Sequence, residues 1–201
     1  AEFSMTRRTQ KERREGTITK LLDATIQCLV HHGYRDTSIG RICTRAGVSH
    51  GGLFRHFATR TDLIAAAAGE IAKRHMAQMA DILAHPPARD EIVDALVTFV
   101  RHATRDDLSG AWREVIVAAR TCPELRDAVA PAVQFYEDAI IEVAAQLPGA
   151  PSNSPEFGTV VLSLIHMFDS EASTRSILES PDIEAQRHRW AVNVLKGALN
   201  L

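Results

Sequence analysis

Aromatic side chains are scarce in this sequence, at 5% of 201 residues with two Trp and two Tyr, and cysteine is scarcer still at three. No stretch approaches the roughly 18 uninterrupted apolar residues of a membrane span. The N-terminus is polar and basic where a secretory signal would be apolar, so a cytoplasmic protein that does not enter the membrane is expected. Cys28, Cys43 and Cys122 are odd in number and widely spaced. Cys28 and Cys43 fall in apolar helical patterns, where a reduced thiol acts as a small hydrophobe, and a redox role is the lesser reading. What is plentiful is alanine, within a hydrophobic fraction of 45%, which favours an all-helical protein over a sheet protein.

Catalytic and metal-binding patterns are missing too. The nine histidines (His31, His32, His50, His56, His75, His85, His102, His166 and His188) form no His-Glu-x-x-His arrangement, and there is no Cys-x-x-Cys. No Gly-x-Ser-x-Gly elbow and no phosphate-cradling glycine loop occur. The expectation is no enzyme, no catalytic residue, no metal and no cofactor.

Charge is unevenly placed. Residues 1–60 carry 11 Lys and Arg against 5 Asp and Glu, a net of +6, and the remainder carries 12 against 20, a net of -8. A basic head on an acidic body fits a polyanion-binding module joined to something that is not one. Ala1 to Ser4 read as a cloning remnant, with Met5 as the native start. The basic run Arg7, Arg8, Lys11, Arg13 and Arg14 either follows a nucleic-acid backbone, reaches a minor groove, or is a solvated tail.

Ile18, Leu21, Leu22, Ile26, Leu29 and Val30 recur at helical spacing, predicting a first helix from about Arg14 to His32 that Gly33 stops. Thr37 and Ser38 cap a short second helix through Ile39, Ile42, Cys43 and Ala46, and Ser49 caps a third that runs to about Phe57. Thr59 and Asp62 form a capping-box pattern ahead of an alanine-rich helix to about Ala84, after which His85, Pro86 and Pro87 break the chain. Further helices are expected at about Arg89 to Thr104, Leu108 to Arg120, Pro123 to Leu147, Pro155 to Glu179 and Pro181 to Leu199. Three of these open on proline. Pro131 should kink or split its helix, and Pro148 to Pro155 is a surface connection.

Two short helices joined by Ala46-Gly47-Val48-Ser49 have the helix-turn-helix arrangement: glycine permits the tight turn and serine caps the second helix. Ile39, Ile42, Cys43, Val48, Leu53 and Phe57 would seal the core, leaving His50, Gly51, Gly52, Phe54, Arg55 and His56 facing outward. The sequence here resembles the tetracycline-repressor (TetR) family of transcription regulators. The match runs through Gly33-Tyr34, Thr37-Ser38-Ile39, Ile42, Ala46-Gly47-Val48-Ser49, Gly51, Leu53-Phe54, His56-Phe57 and Asp62-Leu63, covering residues 14 to about 65.

The resemblance implies an all-α homodimer with DNA-binding heads and a larger C-terminal helical domain. It divides the chain into a disordered remnant and basic arm (1–13), a helix-turn-helix domain (14–58) and a ligand-binding and dimerisation domain (59–201). It implies double-stranded operator DNA as partner and a repressor that a small-molecule effector of unknown identity releases. Thr37, Ser38, Arg45, Phe54, Thr59 and Arg60 fall at backbone-contact positions; His50, Gly51, Gly52 and Arg55, with the capping Ser49 beside them, fall at or near base-reading ones. Phe54 stands where the family usually has a tyrosine, so a phosphate-bonding hydroxyl is missing and His56 is the substitute. Arg55 is the expected base reader, because its fork matches O6 and N7 of guanine, with a phosphate contact as the alternative.

An effector site in a helical domain sits between helices and is mostly apolar with a few polar groups. Met76, Met79, Phe99, His102, Trp112, Arg113, Val117, Phe135, Tyr136, His166 and Met167 are candidate lining residues, each of which plain core packing would also explain. Val160, Val161, Leu164, Ile165, Phe168, Trp190, Val194, Leu195 and Leu199 make the last two helices the candidates for dimerisation, with one face expected to meet the protein's own core and the other its twin. Two rivals stand beside this reading: a helical small-molecule-binding protein or enzyme that keeps the helix-turn-helix as a relic, and a regulator that activates or works through a protein partner without a ligand.

Overall fold

Thr9 starts the first helix. Its hydroxyl accepts the Glu12 N–H at 3.2 Å while the Glu12 carboxylate accepts the Thr9 N–H at 2.7 Å, a capping box that satisfies two orphan donors. A computed structural model describes residues 9–85, 88, 91–147, 149–151 and 154–199, with backbone alone at 82 and 155. Among the described residues there are α-helices and no strand. In chain order these are α1 (Gln10–Asp36), α2 (Ile39–Ala46), α3 (His50–Phe54), α4 (Arg60–Ala84), α5 (Ile92–Ala103), α6 (Asp107–Ala119), α7 (Pro123–Ala144), α8 (Pro155–Arg175) and α9 (Pro181–Ala198).

Several expected boundaries move. Residues 10–13 belong to α1 and are not a disordered arm, because the Thr9 cap lies upstream of the apolar periodicity that predicted the start. Gly33, at φ 68 and ψ 175, breaks the helical path near its end, a conformation open essentially to glycine alone. α3 stops at Phe54 and not Phe57, since the chain must turn before Thr59, which caps α4 through reciprocal bonds with Asp62 at 2.9 and 3.0 Å. α7 runs past Pro131 undivided; that residue is exposed, where a missing backbone donor costs least. Met5, Arg7, Arg8, Pro86, Pro87, Arg89 and Pro148 lie outside the described residues.

Three apolar clusters hold the helices together. One joins α1, α2, α3 and the start of α4 through Leu21, Ala24, Cys28, Ile42, Cys43, Leu53 and Leu63. A second joins α1, α4, α6 and α7 through Ile26, Leu29, Ile64, Ala67, Ala68, Ile71, Ala111, Val115, Leu125 and Val129. The third, centred on Phe168, packs α5, the end of α7, α8 and α9. α1 therefore shows two apolar stripes: Leu21, Ala24 and Cys28 recur on one line at spacings of three and four, and Ile26 and Leu29 lie round the helix from them.

A buried ion cluster fastens α5, α8 and α9. Glu171 is 3% exposed and Glu184 6%. Arg105 donates to Glu171 at 2.7 Å and to Glu184 at 2.9 Å, and Arg101 bridges the same carboxylates at 3.4 and 3.0 Å. Arg187 and Arg175 add pairs at 3.3 and 3.4 Å. Burial pushes the Glu184 carboxyl up, but the hydrogen bonds from Arg105 and the Ser180 N–H and the nearby charges of Arg105 and Arg175 carry it below the usual carboxylate range. Its contribution to stability is therefore present above its unfolded pKa and is lost as pH falls through the folded one. Replacing Glu171 with alanine leaves three guanidinium groups without their shared acceptor and should cost about 3 kcal/mol. The check is the midpoint of urea unfolding: an unchanged midpoint would mean that water serves these arginines equally well.

Candidate nucleic-acid interface and interior cavity

The head is built by two caps and one turn. Ser38 Oγ accepts the Arg41 N–H at 3.3 Å to start α2, and Gly47 ends it at φ 65 and ψ 34, the left-handed conformation that lets α3 leave at a steep angle. Ser49 Oγ accepts the Gly52 N–H at 3.1 Å to start α3. Ile42, Cys43 and Leu53 are buried in the cluster beneath, with Ile39, Val48 and Phe57 partly buried against it. Burial raises the thiols of Cys28 and Cys43, although Arg45 beside Cys28 opposes the rise, so both behave as core groups.

The opposite side is open. Ser38, Arg45, Ser49, His50, Gly51, Phe54, Arg55 and Thr59 are exposed, and Phe54 keeps 48% of its surface accessible, unusual for a phenyl ring with no partner to cover it. His56 is half-buried, with no partner at Nδ1 among the described residues. The two glycines of α3 differ. A Cβ on Gly52 would stand 3.0 Å from Val48 Cγ1 and 3.2 Å from Ser49 Oγ, so its small size serves the turn, whereas Gly51 has nothing within 4 Å.

Two expected backbone contacts are turned inward. Thr37 is 0% exposed and donates its hydroxyl to the Gly33 carbonyl at 2.7 Å. Arg60 donates from Nε to the Thr37 carbonyl at 2.8 Å and from Nη2 to the Tyr34 carbonyl, with its Cζ 4.3 Å from the centroid of the Tyr34 ring. Carbonyls at the end of α1 have no helical donors after the Gly33 bend, and these side chains supply them. Glu114 of α6 completes the joint by accepting the Tyr34 N–H at 2.8 Å. A Cβ at Gly33 would lie 2.8 Å from the Glu114 carboxylate, so the same glycine serves both the bend and the contact.

Three neighbouring chambers that share lining residues lie in the body. An inner chamber of about 50 Å³, between Met76 and Met79 of α4 and Val161, Leu164 and Phe168 of α8, is lined by apolar residues throughout. A neck of about 30 Å³ continues past His75, Phe99, Thr104, Ser109 and Tyr136. It shares His75, Thr104, Ser109 and Tyr136 with an outer chamber of about 320 Å³ lined also by Trp112, Arg113, Val117, His166 and Asp169. The rings of His75, Tyr136 and Trp112 follow one another at centroid distances of 5.7 and 5.3 Å. Arg113 donates to Asp169 at 2.6 Å and to the Thr104 carbonyl at 2.7 Å. Burial, with Asp169 and Asp106 adding to it, pushes the Tyr136 hydroxyl up to about 12.

Three candidate lining residues lie elsewhere. His102 is exposed, Phe135 is 46% exposed beside the inward Tyr136, and Met167 packs against the Phe168 cluster. One residue along a helix is a turn of about 100°, which the bulk of a side chain does not reveal. His75, Ser109, Thr104 and Asp169 were missed, although His75 precedes Met79 by one helical turn and so shares its face. Among the dimerisation candidates, Leu164, Ile165, Phe168, Leu195 and Leu199 are buried within the chain's own core, and Val160 and Val161 pack against it. Val194 is half-buried, while Trp190 is 54% exposed and, with Ile183, marks an uncovered apolar face of α9.

Among the described residues no helix is long and apolar enough to cross a membrane, and no group of three or more His, Cys, Asp or Glu is placed to hold a metal ion.

Comparison with known proteins agrees with this architecture. The family described as "Bacterial regulatory proteins, tetR family" matches residues 21–67. An uncharacterized HTH-type transcriptional regulator of Mycobacterium tuberculosis is 37% identical over 96% of this chain and 99% of its own. The HTH-type transcriptional repressor AcnR of Corynebacterium diphtheriae is 27% identical over 61% of this chain and 60% of its own. A solved TetR-family regulator from Rhodococcus superposes with a TM-score of 0.72 at 21% identity, covering 92% of this chain and 99% of that one. With a relative of that identity along nearly its whole length, and the helix-turn-helix in register, the chain belongs to the TetR family of bacterial transcriptional regulators.

Proposed function

We propose that this regulator is a repressor: a two-fold dimer grips a near-palindromic operator and lets go when a small molecule enters the chambers of its body. The observation that carries the reading is the exposed face of α3, where His50, Gly51, Phe54 and Arg55 stand clear of the core beneath them. Residues 9–58 act as the head and 59–201 as the body, with Ser38, Arg45, Ser49, Gly52, His56 and Thr59 flanking the reading face. Two heads in successive major grooves would stand about 34–36 Å apart, or a multiple of that. The family's heads bind operator DNA, and AcnR bears the name repressor.

The link between chamber and head runs through α6. Trp112 and Arg113 line the outer chamber, and the next residue, Glu114, holds the Tyr34 N–H. Tyr34 in turn accepts from Arg60, which begins α4. A ligand that favours a rotated α6 moves Glu114, and with it the bend at Gly33 and the entry to α4. The coupling this supplies is bounded by the ligand's differential affinity for the two states, typically about 1–3 kcal/mol.

Selection of bound sequences from a random DNA pool at near-physiological salt should return a two-fold symmetric motif. No enriched motif from folded protein would end this reading. Arg55→Ala should relax preference at one motif position by about 1–3 kcal/mol, and unchanged preference would remove Arg55 as a base reader. Arg60→Ala should weaken the head by about 1–3 kcal/mol while leaving the slope of affinity against salt near wild type. A slope reduced by about one would instead make Arg60 a phosphate contact. Gly51→Ala should stabilise the free protein by about 0.5–1 kcal/mol, because α3 gains a better helix former in open space. If Gly51 faces DNA closely, the same variant binds the selected motif more weakly; equal binding would place the backbone at a distance.

A further inference from the structure

The polar neck between the two chambers contains a proton inventory that can be closed. Ser109 has one hydroxyl proton and donates it to the Ala103 carbonyl at 2.7 Å. The contact between Ser109 Oγ and His75 Nε2 at 3.1 Å must then have the histidine as donor. That places the proton of the neutral ring on Nε2 and leaves Nδ1 as a bare acceptor. Burial keeps the ring neutral, with Arg113 also disfavouring the cation against the pull of Asp106 and Asp169. His75 is 7% exposed, lines both the neck and the outer chamber, and among the described residues has no donor at Nδ1. A buried acceptor in native proteins is paired with protein or with ordered water, so this one is available to a donor carried by a molecule that fills the neck.

The neighbouring charges do not call for a charged partner. Asp169 is held by Arg113 at 2.6 Å, and Asp106 accepts the Ser109 N–H at 2.8 Å as the cap of α6. Arg113 is shared between Asp169 and the Thr104 carbonyl. The inner chamber beyond the neck offers apolar side chains alone, with Met76 and Met79 able to change shape as it fills.

We propose that the effector of this regulator is a largely apolar, uncharged molecule whose single O–H or N–H donor binds His75 Nδ1 while its hydrocarbon part enters the chamber beside Met76 and Met79. This deepens the ligand-binding reading above and rests on it. A molecule of the same shape without a donor leaves Nδ1 unpaired, or displaces a water that would have served it, and loses affinity either way.

The probes are p-cresol and p-xylene, matched in outline and differing by the hydroxyl, measured by calorimetry at pH 7 on the wild type and on His75→Phe. The phenyl replacement removes both ring nitrogens while Ser109 keeps its bond to Ala103. The ratio of affinities for p-cresol over p-xylene should fall about tenfold in the variant, the worth of one buried hydrogen bond. An unchanged ratio, or binding of neither probe by the wild type, overturns the proposal. Nitrogen-15 resonances of the wild-type imidazole give a test that needs no variant: His75 should show a proton on Nε2, and p-cresol should shift Nδ1 in the direction of an acceptor that has gained a donor. A proton on Nδ1, or a charged ring at pH 7, also overturns it. These outcomes are separate from operator selection: a protein that discriminates the probes without enriching a DNA motif would lose the regulatory reading and keep the pocket chemistry.

Discussion

Everything in this molecule hangs on α1 being covered from two directions. One stripe of the helix closes the small core of the head, and the other packs against α4, α6 and α7 of the body. A helix buried on one face alone would let the head swing freely. Burial on two faces makes head orientation depend on how the body packs, which is the mechanical requirement for a domain that answers to a distant cavity. Thr25 sits between the stripes, fully buried, and stays compatible with both by donating its hydroxyl to the Leu21 carbonyl at 2.7 Å.

The end of α1 is the point at which these packings meet. Gly33 takes a conformation that a side chain would forbid, and it does so against the Glu114 carboxylate. Past the bend the backbone groups of Tyr34 and Thr37 need partners, and they find them on α6 and α4. Three helices are thus tied through one short segment by hydrogen bonds that involve charged side chains, which are stronger than neutral ones and sensitive to small shifts in distance. Elsewhere in the body, Glu171 and Glu184 with their arginines hold α5, α8 and α9 as a unit. The chambers lie among α4, α5, α7 and α8. Their walls include Met76 and Met79 on α4, the same helix that Arg60 begins.

Much of the head was legible in the sequence because its determinants are local. Gly47 and Ser49 act within a few residues of themselves, and Ile39, Ile42, Cys43, Val48, Leu53 and Phe57 lie on faces that helical spacing alone assigns. The same holds for the capping box at Thr59 and Asp62. What a local pattern did not show was the effect of a distant demand. Arg60 and Thr37 look like phosphate contacts by position, yet the bend at Gly33 creates carbonyls that claim them. Spacing showed that α8 and α9 are apolar on more than one face, but not which face meets the chain's own third cluster, as Leu164 and Leu195 do, and which stays uncovered, as at Trp190 and Ile183.

By itself, then, the sequence determined the helical class, the exposed face of the helix-turn-helix and the change from a basic N-terminal part to an acidic remainder, since caps, turns and periodicity act over one or two helical turns. Only the tertiary structure decided which polar groups were already spoken for. Ser109 gives its proton to Ala103 six residues away but receives His75 from thirty-four residues away, and Glu114 reaches Tyr34 across eighty. Whether a histidine or an arginine is free to meet a ligand is a matter of what surrounds it, and helices far apart in the chain supply those surroundings.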